Sequence, residues 1–174
     1  MKIEFRIPTR GLFGYRNEFL TDTKGEGLLY HVFAGYEPFK GDVAGRGRGA
    51  LVCKEAGETT GHALERLEER STLFLAPGVE AYGGMICGES ARENDLVVNP
   101  CVKKHLTNMR SSGSDFAIKL SPPRPMPLEA AIGWIEEDEL VEVTPKSVRL
   151  RKKILDHSRR RVSEKRMAVV EEDE

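Results

Sequence analysis

Apolar and charged residues alternate at the start of the chain. Within Lys2–Pro8, Ile3, Phe5 and Ile7 fall on one face and charged residues on the other. This pattern predicts a half-buried strand that ends at a proline. In Gly11–Thr21 the apolar residues recur near helical spacing, which predicts a short amphipathic helix.

A second strand is predicted where apolar residues occupy both faces of the segment 28–33. The first 40 residues therefore read strand, helix, strand. A unit of this size leaves an open sheet edge and an uncovered helix face. We therefore expect the chain to begin partway through a larger domain.

Short strands and helices are also predicted after residue 49. A threonine at 59 or 60 can cap a helix that runs to about residue 70, and a proline opens a second helix. Pro77-Gly78 predicts a turn between two of the strands. The predicted strands are Ala50–Cys53, Thr72–Ala76, Glu80–Ile86, Leu140–Val143 and Val148–Leu150, and the second helix begins at Pro127.

In the stretch Asn99–Lys119 the apolar residues follow neither the helical nor the alternating spacing. It is rich in small polar residues and carries five basic residues against one acid, Asp115. Long segments without secondary structure are uncommon inside compact domains and are usually functional or disordered. A cationic loop of hydrogen-bond donors suits contact with phosphate or RNA, and a solvated surface loop is the alternative.

Charge is unevenly distributed along the chain, although the net charge is only −1. Residues 146–166 hold ten Lys and Arg against Asp156 and Glu164, and residues 171–174 are all acidic. A basic block on a mildly acidic body suggests a polyanionic partner, while a solvated tail explains the same pattern. From about Lys153 onward we expect a charged helix or a disordered tail.

The composition is that of a water-soluble protein. The 174 residues, of which 39% are apolar and 32% charged, suffice for one sizeable core or two small lobes. The N-terminus lacks the apolar region of a signal peptide. Three widely spaced cysteines predict reduced thiols in a cytoplasmic protein, without disulfides or a zinc site.

Familiar catalytic motifs do not occur in the sequence. The glycine-rich segment Gly41–Gly49 is followed by a predicted strand, whereas phosphate-cradling loops lead into a helix. We therefore interpret it as a hinge, with phosphate contact from Arg46 and Arg48 as an option. His62 and Glu65 share a helical face, so a small cytoplasmic enzyme that uses this acid–base pair is the alternative function.

Four segments, in this order along the chain, carry a resemblance to a known family. They are residues 11–20 (GLFGYRNEFL), 31–38 (HVFAGYEP), 106–115 (LTNMRSSGSD) and 139–147 (ELVEVTPKS). Together they resemble the C-terminal part of the TypA/BipA translational GTPases, which are similar to elongation factor G. The resemblance covers about residues 2 to 153.

The resemblance implies an α+β fold of two lobes. Residues 1–40 look like the second half of domain V of elongation factor G, a half ferredoxin-like β-α-β piece. Residues 41–155 look like the family-specific C-terminal domain, mainly β with two or three helices and a long polar loop. Residues 156–174 are then a charged tail, which we expect to be disordered.

The same resemblance implies a function without catalysis. The family's GTPase domain has no counterpart in the 174 residues, so GTP and Mg²⁺ are expected only in that domain and no cofactor is expected here. In the family the long loop reaches into the large ribosomal subunit toward the acceptor end of A-site tRNA. We therefore expect a monomeric module that binds rRNA and tRNA, without a membrane, in a parent protein that acts in ribosome function or large-subunit assembly under stress.

The predicted RNA-binding residues come from the loop and from the basic segment after it. They are Lys103, Lys104, His105, Thr107, Asn108, Arg110, Ser111, Ser112, Lys119, Arg149, Arg151, Lys152 and Lys153. No metal ligand and no catalytic residue is predicted.

Overall fold

The computed structural model describes residues 1–39, 41, 45–103 and 119–163. Helices and a mixed sheet make it an α+β fold, which confirms the predicted class. A short 3-10 helix (Thr9–Leu12) precedes the helices α1 (Tyr15–Asp22), α2 (Gly61–Glu68) and α3 (Leu128–Trp134). The strands are β1 (Ala50–Cys53), β2 (Gly57–Glu58), β3 (Ser71–Leu73), β4 (Glu80–Ala81), β5 (Met85–Ser90), β6 (Leu96–Val98), β7 (Glu139–Val143) and β8 (Val148–Lys152).

β5 is the central strand of the main sheet, whose order is β6-β1-β5-β8-β7. One edge of β5 pairs with β1, and the other is shared by β8 at Met85 and Ile86 and by β3 at Gly88–Ser90. All these pairs are antiparallel, whereas β1 and β6 run parallel. β2 and β4 form a separate two-stranded sheet.

Both faces of this sheet are covered, which explains why the whole of β1 is buried. Leu51 and Cys53 pack with α2 in a first cluster around Leu64 and Met85. On the opposite face, a second cluster packs β1, β5 and β8 against Ala131 and Trp134 of α3. The three cysteines are free thiols, as predicted.

The sequence signals for the two helices in this part of the chain are confirmed. The Thr60 side chain accepts a hydrogen bond from the Ala63 N–H at 3.2 Å and so caps α2. Pro127 is the residue before the first turn of α3. β2 and β6 were not predicted, because two- and three-residue strands are too short to show a period.

Residues 1–39 differ from the prediction. The helix is present as α1, but residues 2–8 and 28–33 form no strand in the structure. Their alternating side chains are exposed, for example 59% of Phe5 and 83% of Tyr30. Of the predicted half ferredoxin-like β-α-β piece, the structure thus contains the helix but neither strand, because a strand forms only when its N–H and C=O groups find a partner.

A charged helix was one of the two alternatives for the segment after Lys153, and residues 157–163 are helical. Arg160 of this helix is buried. Two backbone carbonyls of the preceding turn accept hydrogen bonds from the Arg160 Nη1 atom, which ties the helix to the segment that leads into it. Residues 164–174 lie outside the described part. Among the described residues, no helix is both long and apolar enough to cross a membrane.

Candidate nucleic-acid interface

The polar stretch starts from the N-terminal end of α2. The Thr60 hydroxyl donates a hydrogen bond of 2.6 Å to the Val102 carbonyl oxygen, and the Thr60 N–H donates one of 3.0 Å to the Pro100 carbonyl oxygen. Cys101 packs against the first cluster between these two contacts. Lys103 follows directly and is exposed.

The other end of the stretch is fixed at the C-terminal end of the same helix. The Ser121 N–H donates a hydrogen bond of 2.8 Å to Glu68 Oε1, and Leu120 packs on the first cluster. Hydrogen bonds from Ser121 lower the pKa of the Glu68 carboxyl. Lys119, which precedes these anchors, is exposed.

α2 thus holds both ends of the polar, basic segment Asn99–Lys119, which is called the cationic stretch below. Its eight residues separate the two anchors by about 12 Å at 1.5 Å per residue. Lys103, where the chain leaves the N-terminal end of α2, and Lys119, where it comes back to the C-terminal end, are both exposed. The other predicted loop residues lie outside the described part: Lys104, His105, Thr107, Asn108, Arg110, Ser111 and Ser112.

Two arginines of β8 lie on the same side of the sheet as α2. Arg151 is directly opposite Met85 of the first cluster, and directly opposed residues share a face. Arg149, two residues earlier in the strand, shares that face with Arg151. Both arginines are partly exposed.

The negative charge of Glu142 partly offsets the positive charges of these two arginines. It lies directly opposite Arg149 in the β7-β8 ladder and accepts a hydrogen bond of 2.5 Å from the Tyr82 hydroxyl. Burial and this hydrogen bond raise the pKa of Tyr82. The structure therefore brings Lys103, Lys119, Arg149 and Arg151 to the α2 side of the sheet, where Glu68 and Glu142 also lie.

Lys152 points to the opposite face and into an ion-pair cluster in which Lys152 and Glu139 are buried. Its Nζ atom lies 2.5 Å from Asp95, 2.7 Å from Asp138 and 3.0 Å from Glu139, and only 4% of its side chain is exposed. Burial lowers the pKa of Lys152, but the hydrogen bonds to Asp138 and Asp95 and the charge of Glu139 outweigh it, so the pKa is raised. We therefore correct the predicted RNA contact of Lys152, because three carboxylates already enclose its ammonium.

Arg46 occupies the same cluster. Its guanidinium makes two hydrogen bonds of 2.6 Å to Glu139 and lies 3.7 Å from the centre of the Trp134 ring. The phosphate contact considered for this arginine is therefore wrong. Sequence reasoning missed the cluster because its partners are separated by up to 93 residues.

The remaining candidates have simpler surroundings. Lys153 follows β8 and is exposed, and its backbone N–H donates a hydrogen bond of 2.8 Å to the Asp138 carbonyl oxygen. His62 and Glu65 both lie on α2, half-buried and exposed respectively. The described residues contain no group of three His, Cys, Asp or Glu side chains that could hold a metal ion.

Two protein-family models match consecutive parts of the chain. Residues 48–157 match the family model of the TypA/BipA C-terminal domain, and residues 1–46 match that of the elongation factor G C-terminus. Curated relatives share the name large ribosomal subunit assembly factor BipA. The chain is 44% identical over 167 residues to the protein of Bacillus subtilis, with 95% of this chain covered.

It is 47% identical over 162 residues to those of Salmonella typhimurium and Escherichia coli K12, with 92% of this chain covered. In all three cases the chain spans 27% of the relative's length. A model of the family's C-terminal domain that matches more than half of the chain, together with these identities, shows that the chain belongs to the TypA/BipA family and represents its C-terminal region.

Proposed function

We propose that this chain is a ribosome-binding module that contacts RNA of the large subunit and carries out no catalysis itself. The observation that supports this most is the anchoring of the cationic stretch at both ends of α2, with exposed Lys103 and Lys119 beside the anchors. Fixing both ends limits the entropy that the stretch loses when it binds. The name of the curated relatives, a large ribosomal subunit assembly factor, points to the same partner.

The contacts proposed for this module are mainly with phosphate groups. Lys103 and Lys119 supply compact charges, whereas Arg149 and Arg151 can bind phosphate through two N–H groups at once. Hydroxyl and amide side chains between residues 104 and 118 add donors for RNA backbone or base edges. The partners are large-subunit rRNA and the acceptor end of A-site tRNA, and the site of action is the cytoplasm.

In the same proposal the chain works as a monomer and needs no cofactor. We expect GTP and Mg²⁺ to bind only a GTPase domain in the part of the relatives' length that this chain does not span. The alternative of a small enzyme rests on His62 and Glu65 alone. No observation on α2 favours it, and Thr60 and Glu68 at the two ends of that helix both hold the loop.

Co-sedimentation of the chain with isolated large ribosomal subunits over a salt series tests the proposal. We expect saturable, salt-sensitive binding that weakens when Lys103, Lys104 and Arg110 are changed to alanine. Loss of three phosphate contacts should reduce the slope of log affinity against log salt by about 2 to 3. A matched control removes three exposed charges outside α2 and the loop, Arg16, Lys24 and Lys146.

The two variants must differ for the proposal to stand. If the loop variant binds like the control, the loop is not the RNA contact. If the folded wild-type chain does not bind at low salt, the proposed module function itself is wrong.

A further inference from the structure

The outer edge of β7 is the longest regular sheet edge that the described residues leave open. β7 ends the main sheet and pairs with β8 over five consecutive residue pairs without a bulge. At the edge of β3, by contrast, the Arg124 N–H donates a hydrogen bond of 2.8 Å to the Leu73 carbonyl oxygen, and β6 has only three residues. An open edge with N–H and C=O groups pointing outward can accept a further strand.

The hydrogen bonds at the two ends of the β7-β8 hairpin show which groups of β7 point outward. The Lys153 N–H donates to the Asp138 carbonyl oxygen at 2.8 Å, and the Thr144 N–H donates to the Ser147 carbonyl oxygen at 2.9 Å. In an antiparallel ladder, hydrogen-bonded pairs alternate with non-hydrogen-bonded pairs. The even-numbered residues of β7 therefore bond to β8, and the odd-numbered residues turn their N–H and C=O groups to the outer edge.

Val141 and Val143 carry the outward donors of β7. Neither of their N–H groups has a hydrogen-bond acceptor among the described residues. Val143 is 62% exposed on one face of the sheet, and Leu140 is exposed on the other face. The edge thus offers main-chain groups together with apolar side chains on both faces, and these are the contacts that an added strand uses.

The side chains next to this edge are acidic. Residues 136–143 contain no base and five acids, which are Glu136, Glu137, Asp138, Glu139 and Glu142. The first three of these acids are exposed. One exposed base, Lys153, lies opposite Asp138, so the start of β7 keeps an excess of negative charge at the surface.

The other bases near these acids lie farther from the edge. Arg46 and Lys152 are buried and are surrounded by more carboxylates than they can neutralise, namely Asp95, Glu136, Asp138 and Glu139. Arg149 and Arg151 belong to β8, so they lie about 10 Å from an added strand, whereas β7 lies about 5 Å from it. The nearest charged neighbours of a ligand at this edge are therefore acids.

We propose that the outer edge of β7 binds an extended, basic segment of another protein, which adds to the sheet as an antiparallel strand. Its main chain pairs with Val141 and Val143, and its lysine or arginine side chains lie beside the acids of residues 136–142. RNA does not fit this edge, because its phosphates would face the same acids. A second copy of β7 does not fit either, because the acids of the two copies would lie side by side.

Fluorescence anisotropy of a dye-labelled peptide tests this inference on the whole chain. The probe is the hexapeptide Lys-Val-Lys-Val-Lys-Val, and the matched control of opposite charge is Glu-Val-Glu-Val-Glu-Val. We expect the basic peptide to bind about tenfold or more tightly than the acidic one at low salt. Equal affinities for the two peptides, or no binding of the basic one, overturn the inference.

A proline at position 141 tests the main-chain contact. Val141→Pro removes an outward N–H, and an edge strand tolerates proline where the N–H faces solvent. Val141→Thr is the matched control, because it keeps the N–H and the β-branched shape. We expect Val141→Pro to weaken binding of the basic peptide about tenfold and Val141→Thr to change it less than about threefold. Equal effects would show that the main chain of β7 is not the contact.

Hydrogen exchange of the wild-type chain decides the question if Val141→Pro does not fold. Saturation with the basic peptide should slow exchange of the Val141 and Val143 amides about tenfold or more, because these N–H groups then gain acceptors. The amides of Leu140 and Glu142, which already bond to β8, should change less. Unchanged exchange at Val141 and Val143 contradicts the inference, and so does protection of these amides by oligouridine in place of the peptide.

A charge variant tests the class of partner. Glu137→Gln removes an exposed acid beside the start of β7, and Glu26→Gln removes an exposed acid in residues 1–39. We expect Glu137→Gln to weaken binding of the basic peptide about two- to fivefold at low salt and Glu26→Gln to leave it unchanged. Equal effects overturn the assignment of a basic partner to this edge. All these measurements use the chain without ribosomes, so their outcome does not depend on that of the proposed function.

Discussion

Residues 1–39 and residues 45–163 carry similar patterns of apolar alternation but have different structures. In the first region no residue is buried, and α1 buries none of its side chains. In the second, β1 and β5 are almost wholly buried between two helices. Alternation indicates which side chains can share a face, but a partner strand decides whether a sheet forms there.

The two regions also touch in a restricted way. A Cβ atom at Gly133 of α3 would lie 2.8 Å from the Phe13 carbonyl oxygen, and Gly14 adopts φ +76° beside it. The contact is thus backbone against backbone at two glycines. Among the described residues, the buried clusters lie in the second region, and this contact joins the first region to α3.

The largest expected effect is at Lys152. Lys152→Ala leaves the carboxylates of Asp95, Asp138 and Glu139 without this cation, so we expect the free energy of unfolding of the second region to fall by about 3–5 kcal/mol. Chemical denaturation of the whole chain measures this change. The exposed neighbour Lys153→Ala should change it by less than about 0.5 kcal/mol, and equal effects would show that the cluster does not support the fold.

The same substitution at a leucine in each region compares how much the two regions contribute to the stability of the fold. Leu64→Ala removes a fully buried side chain from the first cluster and should cost about 2–5 kcal/mol. Leu28→Ala removes the same atoms from a side chain that is 79% exposed and should cost less than about 0.5 kcal/mol. A large loss of stability in Leu28→Ala would mean that residues 1–39 form part of a core.

Gly133→Ala tests the contact between the regions. The added Cβ clashes with the Phe13 carbonyl, so the free energy of opening of α1 should fall by about 1–3 kcal/mol. Hydrogen exchange of the α1 amides measures it. The amides of β1 and β5 should keep their protection, and their simultaneous loss would show that the two regions unfold as one.

The smallest expected effect is a pH dependence at the loop anchor. The folded-state pKa of Glu68 is lowered, so its ionised carboxyl stabilises the loop anchor at pH values above the unfolded pKa of about 4.3. This stabilisation is lost as the pH falls through the folded-state pKa. Exchange of the Ser121 amide should therefore accelerate as the pH falls through the lowered pKa of Glu68, beyond its intrinsic pH dependence. In Glu68→Gln this additional step should be absent, and its persistence would assign the pH dependence to another group.

Prediction from sequence was most successful where the signal was local. Thr60 and Pro127 marked the starts of two helices, and a continuous apolar run marked β1. It failed at residues 2–8 and 28–33, where pairing with another strand was required, and at Lys152, whose partners are distant in sequence. For the site, the polar stretch was evident from its composition, whereas the ion-pair cluster of Arg46 and Lys152 gave no sequence signal.

The sequence by itself determined the family, the α+β class and the position of the cationic stretch, because motifs, caps and charge density depend on neighbouring residues. Only the tertiary structure decided which cations are free. Arg151 and Lys152 are adjacent in the chain, but strand alternation turns one toward the partly exposed face and the other into three carboxylates. Burial and long-range pairing therefore distinguish a cation that is available for the proposed nucleic-acid contact from one held in a structural ion pair, and neither property is local to the sequence.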